Sequence, residues 1–306
     1  MSNQYFEVID PRFGKLFNGS VHVEKLWTGA RWAEGPAYFP AGKYLVFSDI
    51  PNNRTIRFDE TDGSASVFQQ PAHNQNGHSV DLEGRLISCE HQGRCVSRIE
   101  HDGSRTVLAS HYQGKRLNSP NDVVVKSDGT IWFTDPTYGI DTHYEGDAAS
   151  EEIGGSYVYR YDPRTNDLSA VATDFVRPNG LAFSVDEKQL YIADTGFSHV
   201  ENGPKHIRVA NVSKDGKSLD KAKLFADCTV GCFDGFRFDT SGNLWSSAGD
   251  GIHCYAPDGI LIGKIKIPEV VANLTFGGIK RNRMYICGTT SLYAVYLNAH
   301  GATWPK

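Results

Sequence analysis

Six residues spread through the chain share a chemistry that stands out: Glu34, Asn76, Asn121, Asn179, Asp234 and Asn273. Each lies 10 or 11 residues before an aliphatic residue that opens an apolar segment, namely Leu45, Leu86, Ile131, Leu190, Leu244 and Met284 in turn. Every one is a carboxylate or a carboxamide. Taken singly, Asn76-Gly77, Asn179-Gly180, Asp234-Gly235 and Glu34-Gly35-Pro36 read as turns. Turn chemistry accepts Ser, Gly or Pro equally well, so six acids and amides in one register ask for a common target. Side-chain oxygens that converge without His or thiolate suit one hard divalent cation. Ca²⁺, with about six to eight oxygen ligands, fits first, and Mg²⁺ and Mn²⁺ are open alternatives. Zn²⁺ is less favoured because its usual His and Cys ligands are missing from the set. The competing account is a ring of amides bonded to loop backbones and channel water, with no metal. Two carboxylates in one narrow mouth repel unless a cation or a proton intervenes, which favours the metal.

Six positions can share a target only if the elements carrying them repeat. The segments KYLVFSD, GRLISCE, GTIWFTD, KQLYIAD, GNLWSSA and NRMYICG are variants of one strand, most of them entered through turn residues such as Asp128-Gly129 or Ser241-Gly242. Their anchors are spaced by 41, 45, 59, 54 and 40 residues. That spacing is too long for a hairpin and fits a four-stranded unit with loops. Six such antiparallel sheets set radially make an all-β, six-bladed β-propeller, with all six polar residues at the starts of the innermost strands. A pair of β-sandwiches is the structural alternative. Ring closure is expected between SLYAVYL near the C terminus and the N-terminal segment HVEKLWTG. No linker or composition shift divides the chain, so one domain over 1–306 is expected.

With 306 residues, 40% hydrophobic and 22% charged, the chain can build a large core. A net charge of −5 argues against nucleic acid as the partner. No apolar run is long enough to span a membrane, and the start lacks a basic end followed by an apolar stretch, so a soluble, cytoplasmic protein without membrane partners is expected. Oligomeric state is not legible. The six cysteines are sparse and read as reduced, mostly core thiols, although Cys228 and Cys232 in CTVGC could pair.

Several other residues invite a chemical reading. In CEHQGRC, Cys89, His91 and Cys95 could share a strand face, but no fourth zinc ligand is evident. Two core cysteines beside a surface histidine is the expected outcome. His78, two residues after Asn76, would either contact substrate or bridge two blades by hydrogen bonds. The acidic, glycine-rich segment 138–156 would cover the channel mouth or lie in solvent, and Tyr138 at its start is a candidate substrate contact. Neither a GxSxG nucleophile motif nor a GxxxxGK[ST] phosphate loop occurs.

The settings of the six residues, WAEGPAYF, RLNSPNDVVVKSDGTIWFTDPTYG, RPNGLAFSVDEKQLYIADTG and FDGFRFDTSGNLWSSAGDGI, resemble the gluconolactonase, regucalcin and luciferin-regenerating-enzyme family, nearest its bacterial sugar-lactone hydrolase branch. The similarity runs from about Trp32 to Tyr293. It implies a six-bladed propeller with a divalent metal in its channel, bound by Glu34, Asn179 and Asp234. Asn121 would complete the shell or contact substrate and metal-bound water, and Asp234 matches the family's acid/base. Animal members carry an Arg two residues before Asn121, where this chain has Ser119. The implied activity is opening of a sugar lactone to its aldonic acid, with the metal polarising the carbonyl and Asp234 acting as base or as nucleophile. A phosphotriester hydrolase on the same metal site and a non-enzymatic binding platform are the alternatives. An apolar pocket at the ring would favour the phosphotriester, and hydrogen-bonding groups would favour a polyhydroxylated substrate.

Overall fold

Each aliphatic anchor lies in the second strand of a four-stranded antiparallel blade. Leu45 falls in Tyr44–Asp49, Leu86 in Leu86–Glu90, Ile131 in Ile131–Asp135, Leu190 in Gln189–Asp194, Leu244 in Leu244–Ala248 and Met284 in Arg283–Gly288. The computed structural model describes residues 4–302. Blades 1 to 6 span 33–69, 75–109, 123–175, 178–227, 236–266 and 271–296, and their first strands contact one another in cyclic order around a central channel. The chain is thus a six-bladed β-propeller, and the sandwich alternative falls because the sheets form a ring.

Closure follows the expected pairing. Ser291–Tyr296 runs antiparallel to Glu24–Thr28, so an N-terminal strand completes the blade built from the C-terminal end. An unforeseen strand, Phe6–Val8, adds a fifth member to blade 5 beside Leu261–Lys266. Behind it Phe13 is fully buried and packs near Trp245, in the cluster that also holds Phe276 and Met284 of blade 6. Between blades 3 and 4 the equivalent core is Trp132, Leu181, Leu190 and Ile192. Burying each such large apolar side chain contributes about 1.5–3 kcal/mol before the entropy of ordering it, and blade-on-blade packing repeats that gain around the ring.

The innermost strands position the site. They are Ala33–Phe39, Gln75–Val80, Val123–Val125, Pro178–Phe183, Phe236–Phe238 and Val271–Gly277. In four of them the pairing register shifts beside the polar residue: between Glu34 and Ala37, Gln75 and His78, Pro178 and Leu181, and Val271 and Asn273. In blades 3 and 5 the residue precedes the first paired position. Such irregularities free a side chain from the ladder and re-aim it, here toward the axis.

All six cysteines are free thiols, five of them buried. Among the described residues no helix is long and apolar enough to cross a membrane.

Candidate active site

The Xaa-Gly pairs that read locally as turns are places where neighbouring blades nearly touch. A Cβ on Gly35 would lie 2.0 Å from the carbonyl oxygen of Asn76, and one on Gly180 would lie 2.1 Å from that of Asp234. Gly77 donates its N–H to the Asn121 carbonyl at 2.7 Å, and Gly235 donates to Ala272 at 2.8 Å. Glycine is required because the backbones crowd toward the axis. The turn reading of these dipeptides is therefore corrected.

A second repeated device sets the approach to each ring residue. The Asp closing the second strand accepts backbone N–H groups from the segment entering the first. Asp49 Oδ1 takes Arg31 N at 2.9 Å, and Asp135 Oδ2 takes Asn118 N at 2.9 Å. Asp194 takes both Val176 N and Arg177 N at 2.9 Å. Each clamp lies two or three residues before Glu34, Asn121 or Asn179. The signal was present in FSD, FTD and IAD, whose shared final Asp sequence reasoning passed over.

The six side chains are not equivalent. Asn273 Nδ2 donates to Glu34 Oε2 at 3.0 Å, while its own Oδ1 accepts the Leu274 N–H at 2.8 Å, so both ends of this amide are engaged within the protein. Asn76 is also held. His91 Nδ1 lies 3.2 Å from the Glu145 carbonyl, which only accepts, so the proton sits on Nδ1 and the bare Nε2 receives Asn76 Nδ2 at 3.2 Å. Asn179 Nδ2 donates to Thr195 Oγ1 at 3.3 Å, leaving Oδ1 as its outward acceptor. Asn121 is buried, and no hydrogen bond of its side chain to the protein is present among the described residues. Glu34, Asn121, Asn179 and Asp234 therefore retain oxygen atoms for a ligand.

Glu34 is buried, and its carboxyl pKa is raised by that burial and by the charge of Asp122, against the Asn273 amide, the Gly35 N–H and Arg237. Asp234 keeps part of its surface open, yet burial, then Glu34, Asp122 and Glu145, push its carboxyl well above the ordinary value. Burial and neighbouring carboxylates raise both acids, and beside the neutral amide oxygens they give an all-oxygen donor set of the kind a hard divalent cation takes. No three His, Cys, Asp or Glu side chains form a metal cage among the described residues, so the amides are indispensable to any such site.

The other candidates separate clearly. His78 is buried, with Nε2 2.8 Å from Ser48 Oγ and Nδ1 2.8 Å from Ser88 Oγ. Ser48 Oγ itself donates to the Asn76 carbonyl at 2.8 Å, so His78 donates to Ser48 and accepts from Ser88. It bridges blades 1 and 2 with both ring nitrogens engaged, and it also lines a cavity at the mouth where the first strands end. His91, expected at the surface, is fully buried, and only the tertiary packing of segment 136–155 reveals its place at the mouth. Cys95 turns instead to Glu90, which Arg105 and Ser97 also hold.

Segment 136–155 packs over the channel mouth. It opens with the helical turn Tyr138–Asp141 and buries Ile140 and Ile153. Ser119 Oγ ties it down, donating to the Pro136 carbonyl at 2.7 Å and accepting Gly139 N at 2.9 Å. Tyr138 OH donates to Thr195 Oγ1, one step from Asn179, and the charge of Asp234 reaches the phenol. Tyr138 therefore stands at the ring. A cavity of about 880 Å³ lies elsewhere, where the first strands end. Phe39, Val80, Val125, Phe183, Phe238 and Phe276 line it, so the apolar space and the polar ring occupy opposite mouths.

A family model described as SMP-30/Gluconolactonase/LRE-like region matches residues 32–290. A gluconolactonase of Zymomonas mobilis subsp. mobilis is 29% identical over 314 aligned residues, covering 95% of this chain and 85% of that protein. The structure of a gluconolactonase from Xanthomonas campestris superposes with a TM-score of 0.89 at 36% identity, covering 96% of this chain and 95% of that one. Regucalcin from Agrobacterium tumefaciens, described as a calcium-binding protein, shares the fold with a TM-score of 0.72 at 18% identity, over 90% of this chain and 93% of that one.

Proposed function

The chain belongs to the SMP-30/gluconolactonase/LRE-like family, and from that premise we propose that it hydrolyses a sugar lactone to the aldonic acid at the polar ring, with a divalent cation. The observation that carries this reading is the division of the six ring residues. Asn76 and Asn273 are tied to the protein, while Glu34, Asn121, Asn179 and Asp234 each keep a side-chain oxygen without a protein hydrogen-bond partner among the described residues. These four would hold the cation, Ca²⁺ first because the donors are all oxygen. Once bound, it would supply Lewis-acid polarisation of the lactone carbonyl and favour the ionised forms of Glu34 and Asp234.

The chain's own groups perform the rest. Asp234 takes a proton from the attacking water as the water oxygen bonds to the carbonyl carbon. It returns that proton to the ring oxygen as the C–O bond breaks, which yields the free hydroxyl and carboxylic acid of the open chain. Asn121, whose side chain has no hydrogen-bond partner among the described residues, completes the cation's shell or orients the substrate or the water. The polar rim of Tyr138, Thr195, Arg177 and Asp141 suits a polyhydroxylated substrate. A phosphotriester wants apolar walls at the ring, and the apolar cavity lies at the other mouth.

Acid release from glucono-1,5-lactone by the protein and by Asp234→Asn tests the reading. The variant is expected to keep the fold and lose at least about a hundredfold in kcat, as removal of a general base does. Parental turnover in the variant removes Asp234 from this role.

A further inference from the structure

The helical turn Tyr138–Asp141 puts Tyr138 and Asp141 at positions i and i+3, on one face. Arg177, at the entry to blade 4, reaches across to both. Its Nη1 donates to Asp141 Oδ2 at 2.6 Å, and its guanidinium lies 5.1 Å from the Tyr138 ring centroid. Asp194 fixes the Arg177 backbone by accepting its N–H, and Thr195 donates both N–H and Oγ1–H to the Arg177 carbonyl, at 3.0 and 3.2 Å. Thr195 Oγ1 in turn receives Asn179 of the ring. The guanidinium is thus built into the rim, connected to the ring through Thr195.

Among the described residues no protein hydrogen bond engages Arg177 Nη2 or Asp141 Oδ1. One face of the rim therefore offers a cationic donor and an anionic acceptor side by side. An isolated guanidinium would select an anion. A guanidinium already neutralised by a carboxylate selects a group that both accepts and donates, and two adjacent hydroxyls do so together: one oxygen accepts from Nη2 while the other O–H donates to Oδ1. Ser119 cannot share this task, because it is fully buried beneath the turn and both its hydroxyl bonds go to the turn's backbone.

We propose that Arg177 and Asp141 form a vicinal-diol subsite at the channel rim and set the enzyme's preference for hydroxylated lactones over bare ones. The inference rests on the lactonase reading and adds to it the pair of residues that chooses the substrate.

The test compares kcat/KM for glucono-1,5-lactone and for δ-valerolactone, which has no hydroxyls, in the parent, Arg177→Met and Asp141→Ala. Thermal melts run alongside. In Arg177→Met the ratio of the two kcat/KM values is expected to fall by roughly ten- to a hundredfold, the size of a lost charge-assisted hydrogen bond, mainly through KM for the sugar. Asp141→Ala removes the acceptor and must move the ratio the same way, so the proposal does not depend on one variant folding. A ratio within twofold of the parent's in both variants overturns the subsite. A parent protein inert toward both lactones overturns the hydrolase reading itself, a result distinct from an active parent with unchanged selectivity.

Discussion

Asn273 of the last blade donates its amide to Glu34 of the first, at 3.0 Å across 239 residues of chain. The contact joins the two ends of the propeller at the point where the candidate cation ligands meet. It also supplies a donor that favours the charged form of Glu34 against burial and the Asp122 carboxylate. Closure of the ring and readiness of the site are therefore one structural event.

Asn273→Leu removes that donor and leaves Glu34 facing an apolar group. Partners one step removed from a metal ligand are worth roughly ten- to a hundredfold in affinity, and a loss of that size is expected here. Calorimetric titration of the stripped protein with Ca²⁺ measures it. Affinity equal to the parent's would show that Glu34 needs no help from blade 6.

The raised pKa values of Glu34 and Asp234 give a signed pH dependence. Without metal the pair holds a proton at pH values where isolated carboxylates, near 4.5 and 3.8, are ionised. A raised acid pKa stabilises the fold fully below the unfolded value, and the benefit is lost as pH rises through the folded one. The stripped protein is thus expected to lose stability as pH climbs from about 5 toward neutrality and beyond. Cation binding should expel the proton, so titrations in buffers of different ionisation enthalpy are expected to reveal proton release at pH 7. Heats independent of the buffer would contradict this.

The buried histidines act in the opposite direction. Burial lowers His78 to about 3 and His91 to about 4, so both stay neutral in the folded state. Their contribution is present above the ordinary value of 6.5 and is lost as pH falls toward the folded values. Replacing His78, the bridge between blades 1 and 2, with Gln is expected to flatten the fall in melting temperature between pH 6.5 and 4. An unchanged slope would assign that fall to other groups.

Asp194→Ala leaves the N–H groups of Val176 and Arg177 without their acceptor. Hydrogen bonds to a charged group are worth about 1.5–3 kcal/mol, a loss read from the urea midpoint. Because the same segment carries Asn179 and Arg177, kcat/KM should fall more than stability alone explains. Full activity at a temperature where the variant remains folded would show that the clamp serves stability only.

Much of this arrangement is readable from residue order. The step between anchors from Leu45 to Met284 gives the blades, and the shared register of Glu34 through Asn273 gives the ring, because both follow from chain geometry repeated along the sequence. SLYAVYL and EKLWT declare themselves as strands, and the need to close a ring pairs them. The strand Phe6–Val8 stayed hidden because three residues carry no periodicity and its partner lies more than 250 residues away. Which amides face the axis was also hidden. Asn76 and Asn121 are the same residue type in the same register, but His91 turns one aside and, among the described residues, no side chain captures the other. The place of His91 depends in turn on segment 136–155 folding back over it, a contact no local pattern announces.

The most direct test is turnover of glucono-1,5-lactone before and after chelation, followed by addition of Ca²⁺, Mg²⁺, Mn²⁺ and Zn²⁺ one at a time. Loss of acid release on chelation and its recovery with a divalent ion, Ca²⁺ first, is the predicted result. Turnover indifferent to complete removal of metal would contradict the account.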